Sequence, residues 1–163
     1  KGNDHIMSGT SKTSGVRFAH TNLVADDWKK TVAFYCEVFD CEPVGAERDH
    51  HGPHVEALTG LKGARIVGVH LRLPGFGKHG PTLEVFEYAE NASPSARAAN
   101  LPSFSHIAFQ VDDVEKKHEE VLAHGGGDLG RIQAIDIPGA GRLTLDYLTD
   151  PEGNIIELQH LHK

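Results

Sequence analysis

The chain has 163 residues, enough for one ordinary domain or two small fused modules. Its 39% hydrophobic and 24% charged residues are a globular balance. A net charge of -7, with no cluster of Lys and Arg, argues against a nucleic-acid partner, because phosphate binding needs clustered cations. No apolar run approaches the roughly 18 residues of a membrane span, so no membrane partner is expected. Cys36 and Cys41 match no zinc or disulfide spacing and read as reduced thiols of a cytoplasmic protein.

Residues 1–15 are polar, rich in Gly, Ser and Thr, and lack both apolar periodicity and the apolar centre of a secretion signal. They read as a disordered start or an expression scar. Alternating apolar residues from Ala19 to Val24 then predict a half-buried strand. Asp27 can cap a helix from Trp28 to about Phe39, with Trp28, Val32, Tyr35 and Phe39 on one face. Asp49 to His54 reads as a loop, and Val55 to Thr59 as a short helical turn. Ile66 to Leu73 is a strand, Lys78 to Pro81 a loop, and Leu83-Glu84-Val85 the centre of another strand. Asn91 to Pro102 is rich in Ala, Ser, Asn and Pro and reads as a linker. Beyond it come a strand at His106, a helix capped by Asp113, and a Gly125-Gly126-Gly127 stop. Arg142 to Leu148 is a strand. Asp150-Pro151-Glu152-Gly153 is a tight turn before the last strand, which carries Glu157.

The chain repeats itself. His20 and His106 are each followed six and seven positions later by an Asp pair that leads into a helix. Leu83-Glu84-Val85 and Ile156-Glu157-Leu158 likewise match, each an acid between two aliphatics on a strand. Two modules follow, residues 16–90 and 103–163, joined by 91–102. Strands alternate faces, so His20, Glu84, His106 and Glu157 fall on the faces opposite their modules' helices. If the two sheets curve together, these faces converge on one cup. Two imidazoles and two carboxylates are then an N2O2 set for one divalent metal: Zn, Ni, Co, Mn or Fe. A lone His or Glu on a strand is usually a solvated residue. Matched pairs in duplicated units are what single out these four.

The pattern resembles the vicinal oxygen chelate superfamily, which includes glyoxalase I, methylmalonyl-CoA epimerase, extradiol dioxygenases and the bleomycin and fosfomycin resistance proteins. The residues that carry the resemblance are His20-Thr21-Asn22-Leu23, Leu83-Glu84, His106-Ile107-Ala108-Phe109 and Asp150 through Leu158. It spans Val16 to His160. The fold it implies is α+β, two βαβββ modules forming curved mixed sheets around a metal-binding cup, commonly as a homodimer. Its extradiol and fosfomycin-type members use two His and one Glu, and its epimerases usually place Gln where Glu84 stands. Glyoxalase I has Glu at both last-strand positions, as here, and is the nearest member by ligand set. The resemblance implies that Glu84 or Glu157 detaches as a base on a carbon α to a carbonyl while the metal stabilises enediolate oxygens.

Glyoxalase I commonly carries Arg four residues after the first His to hold a glutathione carboxylate. Val24 stands there, which argues against glutathione. Val69, Leu71 and Leu73 alternate with His70 and Arg72, so the latter two should face the cup and bind substrate, Arg72 through an anionic group. His50, His51 and His54 read as solvated loop residues. Tyr147 could line the cup or fill the core. The expected function is a metal-dependent lyase or isomerase acting on a small molecule that chelates the metal through vicinal oxygens. The alternatives are a small-molecule binding or resistance protein of the bleomycin type, an epimerase and an extradiol dioxygenase.

Overall fold

The computed structural model describes residues 18–93 and 98–162. The leading segment 1–15 lies outside the described residues, as do 94–97 of the linker.

The first module runs β1 (His20–Val24), α1 (Trp28–Phe39), β2 (Glu42–His51), α2 (Pro53–Thr59), β3 (Arg65–Arg72) and β4 (Thr82–Tyr88). The second runs β5 (His106–Gln110), α3 (Val114–Ala123), β6 (Gly127–Asp128), β7 (Gln133–Ile137), β8 (Gly141–Thr149) and β9 (Ile155–His162). Each builds an open mixed sheet. The first has strand order β1-β4-β3-β2. The second has order β5-β9-β8-β6, with β7 also paired to β8. In both, the first strand lies parallel to the last and all other pairings are antiparallel. The duplication read from the sequence is therefore a duplication of topology.

Both long helices start as their caps dictate. The Asp27 carboxylate accepts from Lys30 N and the Asp113 carboxylate from Lys116 N, each satisfying an N–H that the helix itself leaves open. Helix α1 buries Trp28, Thr31, Phe34, Tyr35, Val38 and Phe39. It ends where Asp40 takes a left-handed conformation. Helix α3 buries Val114 and Val121. The apolar faces of β3, β4, β8 and β9 meet these helices in one core containing Leu71, Leu83, Leu148, Ile156 and Leu158, so the modules share a hydrophobic centre. Phe39 stacks on Phe109 across the module boundary at 4.0 Å between centroids.

The modules are also joined by polar contacts. The buried Asp150 carboxylate organises the β8–β9 turn by accepting from Glu152 N, Asn154 N and the Asn154 side chain. The Tyr35 hydroxyl of α1 donates to the same carboxylate at 3.0 Å. Burial raises the Asp150 pKa above the ordinary range, and these hydrogen bonds oppose it.

The second strand corrects the sequence reading. Asp49, His50 and His51 were expected in a loop and instead end β2, paired with Val67, Ile66 and Arg65. The reason is physical. β2 is an edge strand with a register break between Val44 and Arg48, and only those two of its residues are even half-buried. It has no alternating apolar pattern to be read. β6 and β7, also edge strands, hide for the same reason.

Candidate metal centre

Each sheet carries a histidine–carboxylate pair, built from its first and last strands, on the face turned away from its helix. In the first, His20 on β1 and Glu84 on β4 meet diagonally, with His20 Nε2 3.2 Å from Glu84 Oε2. Parallel pairing of β1 and β4, with Asn22 opposite Glu84, produces this approach. In the second, His106 on β5 and Glu157 on β9 repeat it, with His106 Nε2 3.0 Å from Glu157 Oε2 and Ala108 opposite Glu157. The neighbouring Leu83, Val85, Ile156 and Leu158 are buried in the core, which pins Glu84 and Glu157 to the opposite face. The carboxylates are mostly shielded, at 14% and 16% side-chain exposure, while His20 remains open at 43%.

The pairs differ in the residue across the last strand. Opposite Glu84 stands His70, whose Nε2 lies 2.8 Å from Glu84 Oε1. Its Nδ1 meets Thr82 Oγ1 at 3.0 Å, an outer hydrogen bond that fixes the ring. Burial lowers the pKa of His70, which favours the neutral ring, while Glu84 pulls the other way. Opposite Glu157 stands Tyr147, whose ring lies 5.1 Å from that of His106. Burial, then the charge of Glu157 and a hydrogen bond to it, raise the Tyr147 pKa and hold the phenol protonated. Alternation foretold the orientation of His70. The position of Tyr147 was open in the sequence and is settled by the β8–β9 register.

Arg72 shares the His70 face, as alternation predicts, but it is paired with Glu42, its cross-strand neighbour on β2. Its Nε is buried without a hydrogen-bond partner. His51 rests beside Asp49 at 3.4 Å and is exposed, as are His50 and His54.

His20 and His106 line one cleft of about 660 Å³ between the edge strands β1 and β5. Phe18, Leu101 and Phe104 also line it, and its size is that of a small-molecule site. The imidazole–carboxylate separations are those of direct ion pairs, and two ligands of one metal would stand as far apart. Two ligands at about 2.1 Å from a common ion, at angles between octahedral and tetrahedral, stand about 3.0–3.4 Å apart. Among the described residues, however, no three His, Cys, Asp or Glu side chains are gathered to hold one ion. The structure brings the four expected ligands together two by two.

The profile of the Glyoxalase/Bleomycin resistance protein/Dioxygenase superfamily matches residues 17–158, nearly the whole described chain, and the protein belongs to that superfamily. Solved structures agree on the fold. A glyoxalase family protein from Bacillus cereus superposes with a TM-score of 0.76 at 16% identity, covering 94% of this chain and 99% of the other. A glyoxalase/bleomycin resistance protein/dioxygenase domain from Frankia gives 0.58 at 15%, covering 90% and 98%. The fosfomycin resistance protein FosX from Listeria monocytogenes, solved with Mn(II) and sulfate, gives 0.54 at 18%, covering 90% and 93%. No curated protein matches the chain by sequence. No helix among the described residues is long and apolar enough to cross a membrane.

Proposed function

We propose that the protein is a metal-dependent lyase or isomerase, glyoxalase-like, whose ligands are His20, Glu84, His106 and Glu157. The observation that carries this reading is the recurrence of one pair geometry, at 3.2 and 3.0 Å, in two modules related only by duplication. Mn(II) in the FosX structure supports a divalent ion. Both histidines border the same cleft, so two half-sites are joined either by narrowing of that cleft or by a second copy in a homodimer.

When bound, the metal supplies Lewis acidity at the vicinal oxygens of a substrate. The chain supplies the rest. Glu84 or Glu157 takes the proton from a carbon α to a carbonyl, since each is a shielded carboxylate on the open face. Tyr147, kept protonated beside Glu157, is placed to hand a proton back. Arg72, with one N–H unsatisfied, and His70 orient an anionic end of the substrate.

The test is elemental analysis of protein purified without chelator, with light scattering on the same sample. About one divalent ion per chain is expected, in a monomer and in a dimer alike. A metal-free protein that does not take up Mn(II) on titration refutes the enzyme reading and leaves the small-molecule binding protein in its place.

A further inference from the structure

The open face of each sheet continues past its histidine–carboxylate pair, and the two continuations differ. In the first module the row after His70 and Glu84 is Gly68 opposite Phe86, and the next is Ile66 opposite Tyr88. These rows are covered by the chain itself. Val55 of α2, Ala64 and Ile66 form a separate buried cluster against which Phe86 and Tyr88 pack. Gly68 has φ +154, and a Cβ there would stand 2.0 Å from Val85 O and 2.6 Å from the Phe86 ring, so Phe86 lies down on bare backbone.

In the second module the row after Tyr147 and Glu157 is Leu145 between Gln159 and Gln133. The next is Leu143 between Leu161 and Ile135, three aliphatics abreast. Among the described residues no counterpart of α2 covers them, because residues 138–140 form a short turn from β7 into β8. Ile135 is 48% exposed and Ile137, at the end of the strand, 36%. Leu143, Leu145 and Leu161 are half-buried and take no part in the shared core. An aliphatic face of this kind, in continuous register with a polar pair, offers a surface for an apolar occupant.

We propose that this face binds the hydrocarbon part of the substrate, whose oxygens meet His106 and Glu157. The substrate class is an amphipathic molecule with a vicinal-oxygen head and an aliphatic chain of several carbons. From Tyr147 to Leu143 is four residues of strand, about 13 Å at about 3.3 Å per residue, the reach of a chain of roughly eight to ten carbons. The first module offers no equivalent space, since α2 fills it. The chain therefore has one direction to run. This inference rests on the metal-site reading above for the placement of the head, but not for the binding of the tail.

The experiment is calorimetric titration with n-alkyl hydroxamic acids, from acetohydroxamic to octanohydroxamic acid, which join two vicinal oxygens to an alkyl chain of chosen length. Mn(II)-loaded and EDTA-treated protein are titrated in parallel. Affinity should rise about threefold for each methylene laid on the sheet, in both forms. The variants Ile135→Thr and Leu143→Thr, which place a strand-compatible β-branched residue at each position, should flatten that rise while acetohydroxamic acid binds as before. A flat chain-length series in wild-type protein overturns the proposal. So does a full rise that survives both substitutions. If either variant turns a dimer into a monomer by light scattering, the face belongs to a second copy and the proposal falls. Loss of the metal dependence alone, with the chain-length rise intact, would count against the metal reading and not against the apolar face.

Discussion

The two modules share a topology and a histidine–carboxylate pair, yet each has kept something the other lacks. The first has an inserted helix on its open face and a second histidine opposite its glutamate. The second has a bare aliphatic face and a tyrosine opposite its glutamate. The core faces stay alike because each must be apolar to meet its helix. The open faces diverge because packing does not hold them. Duplication thus fixed the frame of the site, and divergence on the open faces gave it two unequal walls.

The largest effect expected concerns the metal. Losing outer partners of a metal ligand costs about 10–100-fold in affinity, so His20→Ala, Glu84→Ala, His106→Ala and Glu157→Ala should each weaken Mn(II) binding by at least that. If only one module's pair matters in calorimetry, the modules are functionally unequal and the four-ligand set is wrong. Next comes packing. Ile66→Ala, under α2, should destabilise by about 2–4 kcal/mol in urea unfolding, whereas Ile135→Ala, on the open face of the second module, should cost within about 0.5 kcal/mol. Equal costs would show that something covers the second face too.

A smaller effect is expected at Arg72. Arg72→Ala should weaken binding of an anionic substrate by about tenfold, the weight of a charged hydrogen bond, with metal content unchanged. No change in the Michaelis constant would reduce Arg72 to its pairing with Glu42. The smallest concerns the tie between modules. Asp150 has a folded-state pKa above its ordinary value, so it binds its proton more tightly folded than unfolded. Its contribution is fully present below the ordinary carboxylate pKa of about 3.9 and declines as pH rises through the folded value. Unfolding measured from pH 4 to pH 7 should therefore show wild type losing ground to Asp150→Asn as pH rises. A constant difference would mean that Tyr35 and Asn154 compensate the burial fully.

Much of the frame was legible in advance. The caps at Asp27 and Asp113, the helix from Trp28 to Phe39, the Asp150 turn and the orientation of His20, His70, Glu84, His106 and Glu157 all follow from short-range rules: an oxygen before a helix, a period of two in a strand, Pro and Gly in a turn. The β2 strand was not legible, since exposed edge residues such as Glu47, Asp49 and His51 carry no hydrophobic pattern.

By itself, then, the sequence determined the repeat, the elements with one buried face, and that His20, Glu84, His106 and Glu157 stand on the faces opposite the helices, because those depend on spacing along a single strand or helix. Only the tertiary structure decided that Tyr147 stands beside Glu157 and that Arg72 leans on Glu42. It alone decided that α2 covers one open face and that no described residue covers the other, and that His20 pairs with Glu84 and His106 with Glu157 on either side of a cleft. Those outcomes depend on register between strands and on packing between modules, and both are fixed by contacts between residues far apart in the chain.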